Sequence, residues 1–302
     1  MTGPRKTAFS RIFFCFSALV CLWGILPALA CGAPPPRSAT EGGTGTLPHD
    51  LGEVVYRTNR ESPRQVFIVV DSHRSSATGA NGPTTVKAQI DTFRIGEWLI
   101  RKKQVALLLP EGFFGPQTGV GPSRPPSRRI RSESLQEKLT DTGTFVNAEL
   151  LLYRRYGIRM HQVEDRNLYC RARKILDTAL RQRAPLSPCA DCDLAYLQKR
   201  RLAAMLQRAP AAIASEYRRG AISRPKAMLT IGMAHLKDIV RFLEKGQIHI
   251  AAAPGDFEAY NAPLELEKDK VGVTVIVPRA LFKKRHPLSR LAELEPSLES
   301  RH

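Results

Sequence analysis

Short apolar runs alternate along the chain with longer stretches in which apolar residues recur every three or four positions. Val66-Phe67-Ile68-Val69-Val70 leads into Asp71-Ser72-His73, and Val105-Ala106-Leu107-Leu108-Leu109 leads into Pro110-Glu111-Gly112. Residues 158–163 lead into Glu164-Asp165, and Ala227-Met228-Leu229-Thr230-Ile231 leads into Gly232-Met233-Ala234-His235. Three of these runs are almost unbroken in their apolarity, as strands covered on both faces are. The run at 158–163, interrupted by Arg159, His161 and Gln162, is the weakest strand of the four. Residues 248–252 and 272–278 predict two more. Helical spacing marks 84–103, 134–156, 166–183, 193–219 (broken near Pro210) and 236–245. Strand followed by helix, repeated, predicts one α/β domain over 65–278, with a parallel or mixed central sheet and helices on both faces.

In such a sheet, ligands bind at the carboxyl ends of the strands. His73, Glu111, Glu164 and His235 each lie within four residues of a predicted strand end, so parallel strands would carry all four to one rim. Asp71 ends the first run itself. Gly232 lets the backbone turn sharply before the helix that His235 opens, and that helix N-terminus offers amide donors to an anionic group. Residues 115–134 form a Gly/Pro/Arg loop with Arg124, Arg128, Arg129 and Arg131. It reads either as a solvated insertion or as an anion-binding flap over the same rim.

The first thirty residues follow a different pattern. Arg5, Lys6 and Arg11 precede the apolar run from Ile12 to Leu26, and Pro27-Ala28-Leu29-Ala30 closes it. A positive start, an apolar middle and a small-x-small ending define a secretory signal, 1–30. The run also approaches the ~20 residues of a membrane span. Ala28-Leu29-Ala30-Cys31 is similar to a bacterial lipobox, which would make Cys31 a lipidated N-terminus; cleavage by ordinary signal peptidase after Ala30 is the rival. Residues 31–64, with Pro34-Pro35-Pro36 and Gly42-Gly43-Thr44-Gly45, read as a flexible tether, and 279–302 as a charged tail. The expected location is the bacterial envelope, anchored in the inner or outer membrane and facing the periplasm, or periplasmic and unanchored.

Export permits disulfides. Cys189-Ala190-Asp191-Cys192 has no second Cys-x-x-Cys, no following His and no preceding strand, which favours a local Cys189–Cys192 disulfide over a zinc half-site or a redox pair. Cys170 is then left over.

The 302 residues are 43% hydrophobic and 25% charged, which excludes collagen-like, coiled-coil and wholly disordered chains. The net charge is +18, and +15 remains after Arg5, Lys6 and Arg11 are removed. The basic residues are spread along the chain without a nucleic-acid motif. A basic face against anionic envelope lipid or polysaccharide therefore fits better than nucleic acid.

The order of the motifs resembles the superfamily that joins TraB/Tiki-type proteins, ChaN-like haem-binding lipoproteins and erythromycin esterases. The residues that carry the resemblance are Asp71-Ser72-His73 after the first run, Pro110-Glu111-Gly112 after the second, and Gly232-Met233-Ala234-His235 late in the chain. Asn147 to Tyr169 fits the middle of such domains. Val70 stands where that superfamily usually has Gly.

The resemblance implies two functions. One is hydrolysis of a small-molecule or peptide substrate. His73, Glu111 and His235 would hold zinc or manganese with an open position for water, and Asp71 and Glu164 would act as acid/base partners. The same groups could also work without metal, through a His base oriented by a carboxylate. The other function is haem or iron binding without turnover, for which Tyr153, Tyr156 and Tyr169 are the candidate ligands. A site that has lost catalysis and only binds is a third class.

Overall fold

Strand β2 (Gln65–Asp71) shows why its sequence is apolar without alternation. Val66, Ile68 and Val70 enter one hydrophobic core and Phe67 and Val69 enter another, so both faces of the strand are covered. The computed structural model describes residues 46–73, 81–115, 131–141, 146–182, 186–255 and 257–282. The expected signal segment, Cys31, residues 116–130 of the basic loop and the tail beyond Phe282 lie outside these. Among the described residues, no helix is long and apolar enough to cross a membrane.

The first half of the fold consists of β1 (Gly52–Thr58), β2, α1 (Pro83–Trp98), which continues into a π-helical turn at Leu99–Lys103, β3 (Leu107–Pro110), α2 (Ser132–Thr140), α3 (Ala148–Tyr156) and β4 (Arg159–Met160). The second half contains α4 (Arg166–Gln182), α5 (Pro188–Arg218), β5 (Lys226–Gly232), a 3₁₀ turn at Met233–His235 and α6 (Leu236–Lys245). It ends with β6 (Gln247–Ile250), β7 (Tyr260–Pro263), α7 (Glu265–Lys268), β8 (Gly272–Pro278) and α8 (Arg279–Phe282).

Six strands form a mixed sheet in the order β1-β8-β2-β5-β3-β4, and β6 and β7 form a separate antiparallel pair. Only β1 runs antiparallel in the main sheet, against β8. One face packs Leu197, Leu202, Leu206 and Ile213 of α5 with Ile239 and Phe242 of α6. The other packs Val86, Phe93 and Ile95 of α1 with Leu135 of α2 and Leu151 of α3. The chain is thus an α/β protein with helices on both faces of a mostly parallel sheet, as its sequence predicts.

Several elements differ from the expectation; β7 and α7 have no counterpart in it, and α8 begins inside the stretch 279–302 read as a charged tail. β1 lies inside the stretch 31–64 read as tether. Its register shifts between Val54 and Tyr56, and Val54 and Val55 both stay exposed, so this edge strand lacks the two-residue alternation that would mark it. The helix expected over 134–156 is two helices. The second begins at Asn147, whose side chain accepts the N–H of Leu150 at 2.9 Å as an N-cap. Helix α5 runs through Pro210 without a break. Proline removes one hydrogen bond and crowds the preceding turn, but Ala209, Pro210, Ala212 and Ile213 are all buried, and that packing holds the helix together.

Candidate functional site

Strands β2, β3 and β5 are neighbours, and their carboxyl ends bring Asp71, Pro110 and Gly232 to one rim. Asp71 is in register with Gly232, and Pro110 with Thr230. The next residues supply the site. Gly112 turns the chain after Glu111 with a φ of 70°, a left-handed conformation suited to glycine.

Glu111 is the hub. Its Oε2 accepts from His73 Nε2 at 3.1 Å and from the Gly232 N–H at 2.7 Å. Its Oε1 accepts from Arg201 Nη2 at 3.0 Å and lies 3.9 Å from His235 Nε2. Gly232 lets His73 and Glu111 meet, because a Cβ there would sit 2.8 Å from His73 Nε2 and 3.4 Å from Glu111 Oε2.

Arg201, on α5, also binds Glu164. Nη2 donates to Glu164 Oε2 at 2.7 Å and Nε donates to Oε1 at 3.2 Å. Glu164 is fully buried and its carboxylate faces this guanidinium. Its place is therefore to hold Arg201 against Glu111, away from any substrate. Asp71 is likewise buried beneath the rim. It accepts the Ser72 N–H at 2.7 Å and the Thr92 hydroxyl at 3.2 Å, and Gln89 Nε2 donates to its other oxygen. Gln89 in turn accepts the Ala148 N–H at 2.7 Å, which ties α1 to the start of α3.

A cavity of about 490 Å³ opens beside this cluster. His73, Glu111 and Arg201 reach its wall, as do Tyr169 and the apolar Phe113, Leu150 and Met160. His235 does not. It is 8% exposed, makes no capping hydrogen bond to its helix, and backs Glu111 from behind. Of the sequence-predicted set, the structure brings His73, Glu111 and His235 together around one carboxylate. It places only His73 and Glu111 where a ligand would touch them.

The electrostatics follow from this arrangement. Burial would lower the pKa of His73, but the hydrogen bond and charge of Glu111, with Asp71 and Glu149 behind, raise it to about 9. Half of the His73 side chain faces solvent, so water screens part of this effect. Burial would raise Glu111, but His73, His235 and Arg201 hold its carboxyl well below the ordinary range. His235 is lowered, first by burial and then by Arg201 and His73, against the pull of Glu111. Asp71 is raised to about 7 by burial and by the charge of Glu149.

The expected zinc or manganese centre on His73, Glu111 and His235 does not fit this donor set. Both Glu111 oxygens already accept from N–H groups, and the Arg201 guanidinium lies where a second cation would be repelled. Among the described residues, no group of three or more His, Cys, Asp and Glu side chains is arranged to hold a metal ion. Of the three tyrosines considered for iron, only Tyr169 lines the cavity, with its ring 4.9 Å edge-on from Phe114. Tyr156 donates to Glu97 on the far side of the sheet, and Tyr153 packs in the core beside it. Cys189 and Cys192 lie near the N-terminal end of α5. Both are exposed and carry free thiols, as does Cys170, so the expected Cys189–Cys192 bond is not formed in this structure.

Arg201 is the site residue that the sequence reading missed. A signal was present: Leu197, Arg201, Met205 and Ala209 recur every fourth residue, and the other three are core residues. A charge on the apolar stripe of a helix implies a buried partner.

Comparison with protein-family models, with curated proteins and with solved structures finds no match.

Proposed function

We propose that the rim cavity is a hydrolytic site working by acid–base chemistry without a bound metal, in an exported, lipid-anchored envelope protein. The observation that carries the reading is one carboxylate, Glu111, that holds His73 at 3.1 Å and Arg201 at 3.0 Å on the wall of one cavity. His73 is raised to about 9 and His235 is lowered. The raised imidazole, His73, is the acid of the site; His235 does not reach the cavity wall and takes no part in the proton transfer. Near neutral pH, His73 is an imidazolium at the cavity wall, oriented by Glu111. It can deliver its proton to a leaving oxygen or nitrogen as water adds to the adjacent carbon. The proton that the water loses returns through solvent at the open mouth. Arg201 supplies fixed positive charge for the oxygen on which negative charge develops. His235 and Glu164 are positioning residues: the first backs Glu111 and the second anchors Arg201. The cavity suits a small molecule or the side chain of a peptide, with Phe113, Leu150 and Met160 covering an apolar part.

The test is turnover of a panel of p-nitrophenyl esters and anilides by protein dialysed against EDTA. The reading expects activity that survives the chelator and falls at least tenfold in His73→Gln. Activity that disappears with EDTA and returns with one equivalent of zinc or manganese would overturn it. The placement of Tyr169 on the wall favours haem binding as the second reading. A stoichiometric Soret shift lost in Tyr169→Phe, with no hydrolysis of any substrate, would establish that instead.

A further inference from the structure

The amino ends of the same strands carry a second cavity that the rim chemistry does not use. Its volume is about 570 Å³. Gln65 and Lys226, partners in register at the first positions of β2 and β5, lie in its wall. Asp71 and Gly232, at the other ends of these strands, are six residues further on, roughly 20 Å away at the rise of a β-strand. The two cavities are therefore at opposite edges of the sheet.

The wall of this second cavity is strongly basic. Arg57 of β1, Arg60, Lys102, Lys103 and Lys226 line it, with Glu61 the only acid among its lining residues. None of the five cations forms a salt bridge among the described residues; Lys103 instead lies 5.3 Å from the centre of the Trp98 ring. Burial and then the charges of Arg57 and Lys226 lower Lys103, and burial followed by Arg60 lowers Arg57. The cations thus repel one another, and the protein folds in spite of it.

The backbone here is unusual as well. Helix α1 widens into the π-helical turn at Leu99–Lys103, and Gln104, which follows it in the wall, has a left-handed φ of 59°. Single π-turns inside α-helices are frequent at functional sites. The turn brings Lys102 and Lys103 into the wall beside Lys226.

We propose that this cavity binds a phosphate-bearing anion. Five cations against one acid suit a multiply charged partner. The guanidinium groups of Arg57 and Arg60 suit phosphate oxygens through paired N–H donors, and the three lysines act as point charges. Thr46 also lines the cavity. The phosphate could belong to a lipid headgroup or to a soluble compound.

The experiment uses the full chain with Cys31→Ser, so that no attached lipid contributes. Inorganic tripolyphosphate at constant ionic strength should raise the midpoint of thermal unfolding. Lys103→Gln with Lys226→Gln should weaken that binding at least tenfold. Lys174→Gln with Lys245→Gln, the same charge change elsewhere on the surface, should leave it within twofold. Without anion, the cavity variant should unfold no earlier than the parent, because a repulsion has been removed. If the cavity variant does not fold, Arg57→Gln on the exposed edge strand replaces it, with at least threefold weaker binding expected. Co-sedimentation with phosphatidylglycerol–phosphatidylcholine vesicles, against phosphatidylcholine alone, separates the sources. Cavity-dependent sedimentation assigns a headgroup, and tripolyphosphate binding without sedimentation assigns a soluble phosphate compound. No response to either probe, or equal loss in the cavity and control variants, would overturn the proposal.

Discussion

Glu111 Oε2 accepts the backbone N–H of Gly232 at 2.7 Å, which joins the end of β3 to the end of β5 across 121 positions of sequence. This bond fixes the carboxylate to the sheet and leaves its remaining lone pairs for His73 and Arg201. The absence of a side chain at Gly232 is what lets His73 close over it. Gly232→Ala should therefore push the His73 ring away from Glu111. A Cβ 2.8 Å from Nε2 requires the imidazole to move, and because half of that side chain faces solvent it can do so at small cost in stability. The expected outcome is a folded protein, by circular dichroism, whose His73 titrates closer to the ordinary value of 6.5.

Arg201 compensates two carboxylates that the fold buries, Glu111 and Glu164. Arg201→Met leaves the buried Glu164 without its cation and Glu111 with His73 alone, and removing one partner of a buried ion pair costs about 3–5 kcal/mol. Arg201→Lys should fall between the two, because an ammonium cannot reproduce the fork that reaches both acids. Urea unfolding of the three proteins measures the order. Equal stability of Met and wild type would show that Arg201 adds nothing to the fold.

The pH dependence has three components with known signs. His73 has a raised folded pKa, so its stabilisation is complete below 6.5 and is lost as pH rises through about 9. Glu111 has a depressed one, so its stabilisation is present above the ordinary 4.5 and is lost as acid titrates through its lower folded value. Asp71, raised to about 7, opposes folding increasingly between pH 3.8 and 7, because burial disfavours its charged form. His73→Gln should therefore lower the unfolding midpoint more at pH 6 than at pH 9.5. Asp71→Asn should be more harmful at pH 5 than at pH 8. Unfolding midpoints across this range check both.

The anchoring claim rests on the segment before the fold. Cys31→Ser should abolish incorporation of labelled palmitate while export continues. A wild-type protein that takes up no label and is recovered soluble from the periplasm would contradict lipidation at Cys31.

Much of the fold was legible because burial on both faces writes itself into β2, β3 and β5 as unbroken apolar runs. β1 was hidden for the converse reason. It is an edge strand with a bulge, and Val54 and Val55 face solvent, so neither alternation nor a continuous run announces it. The rim could be predicted from topology, since any polar residue directly after a parallel strand reaches it. The directions of the side chains could not. Glu164 and His235 follow strands as His73 does, yet they turn inward to Arg201 and to the back of Glu111. The cation that explains Glu164 lies 37 residues away on a helix, in a stretch rich in arginine where one buried member looks like its exposed neighbours.

The most direct test of the central claim is the titration of His73, followed by NMR in isotope-labelled protein assigned through His73→Gln. The account predicts an imidazole that stays protonated through neutral pH and titrates near 9, with the value falling toward 6.5 in Glu111→Gln. A His73 that titrates near 6.5 in the wild-type protein, unmoved by Glu111→Gln, would contradict it.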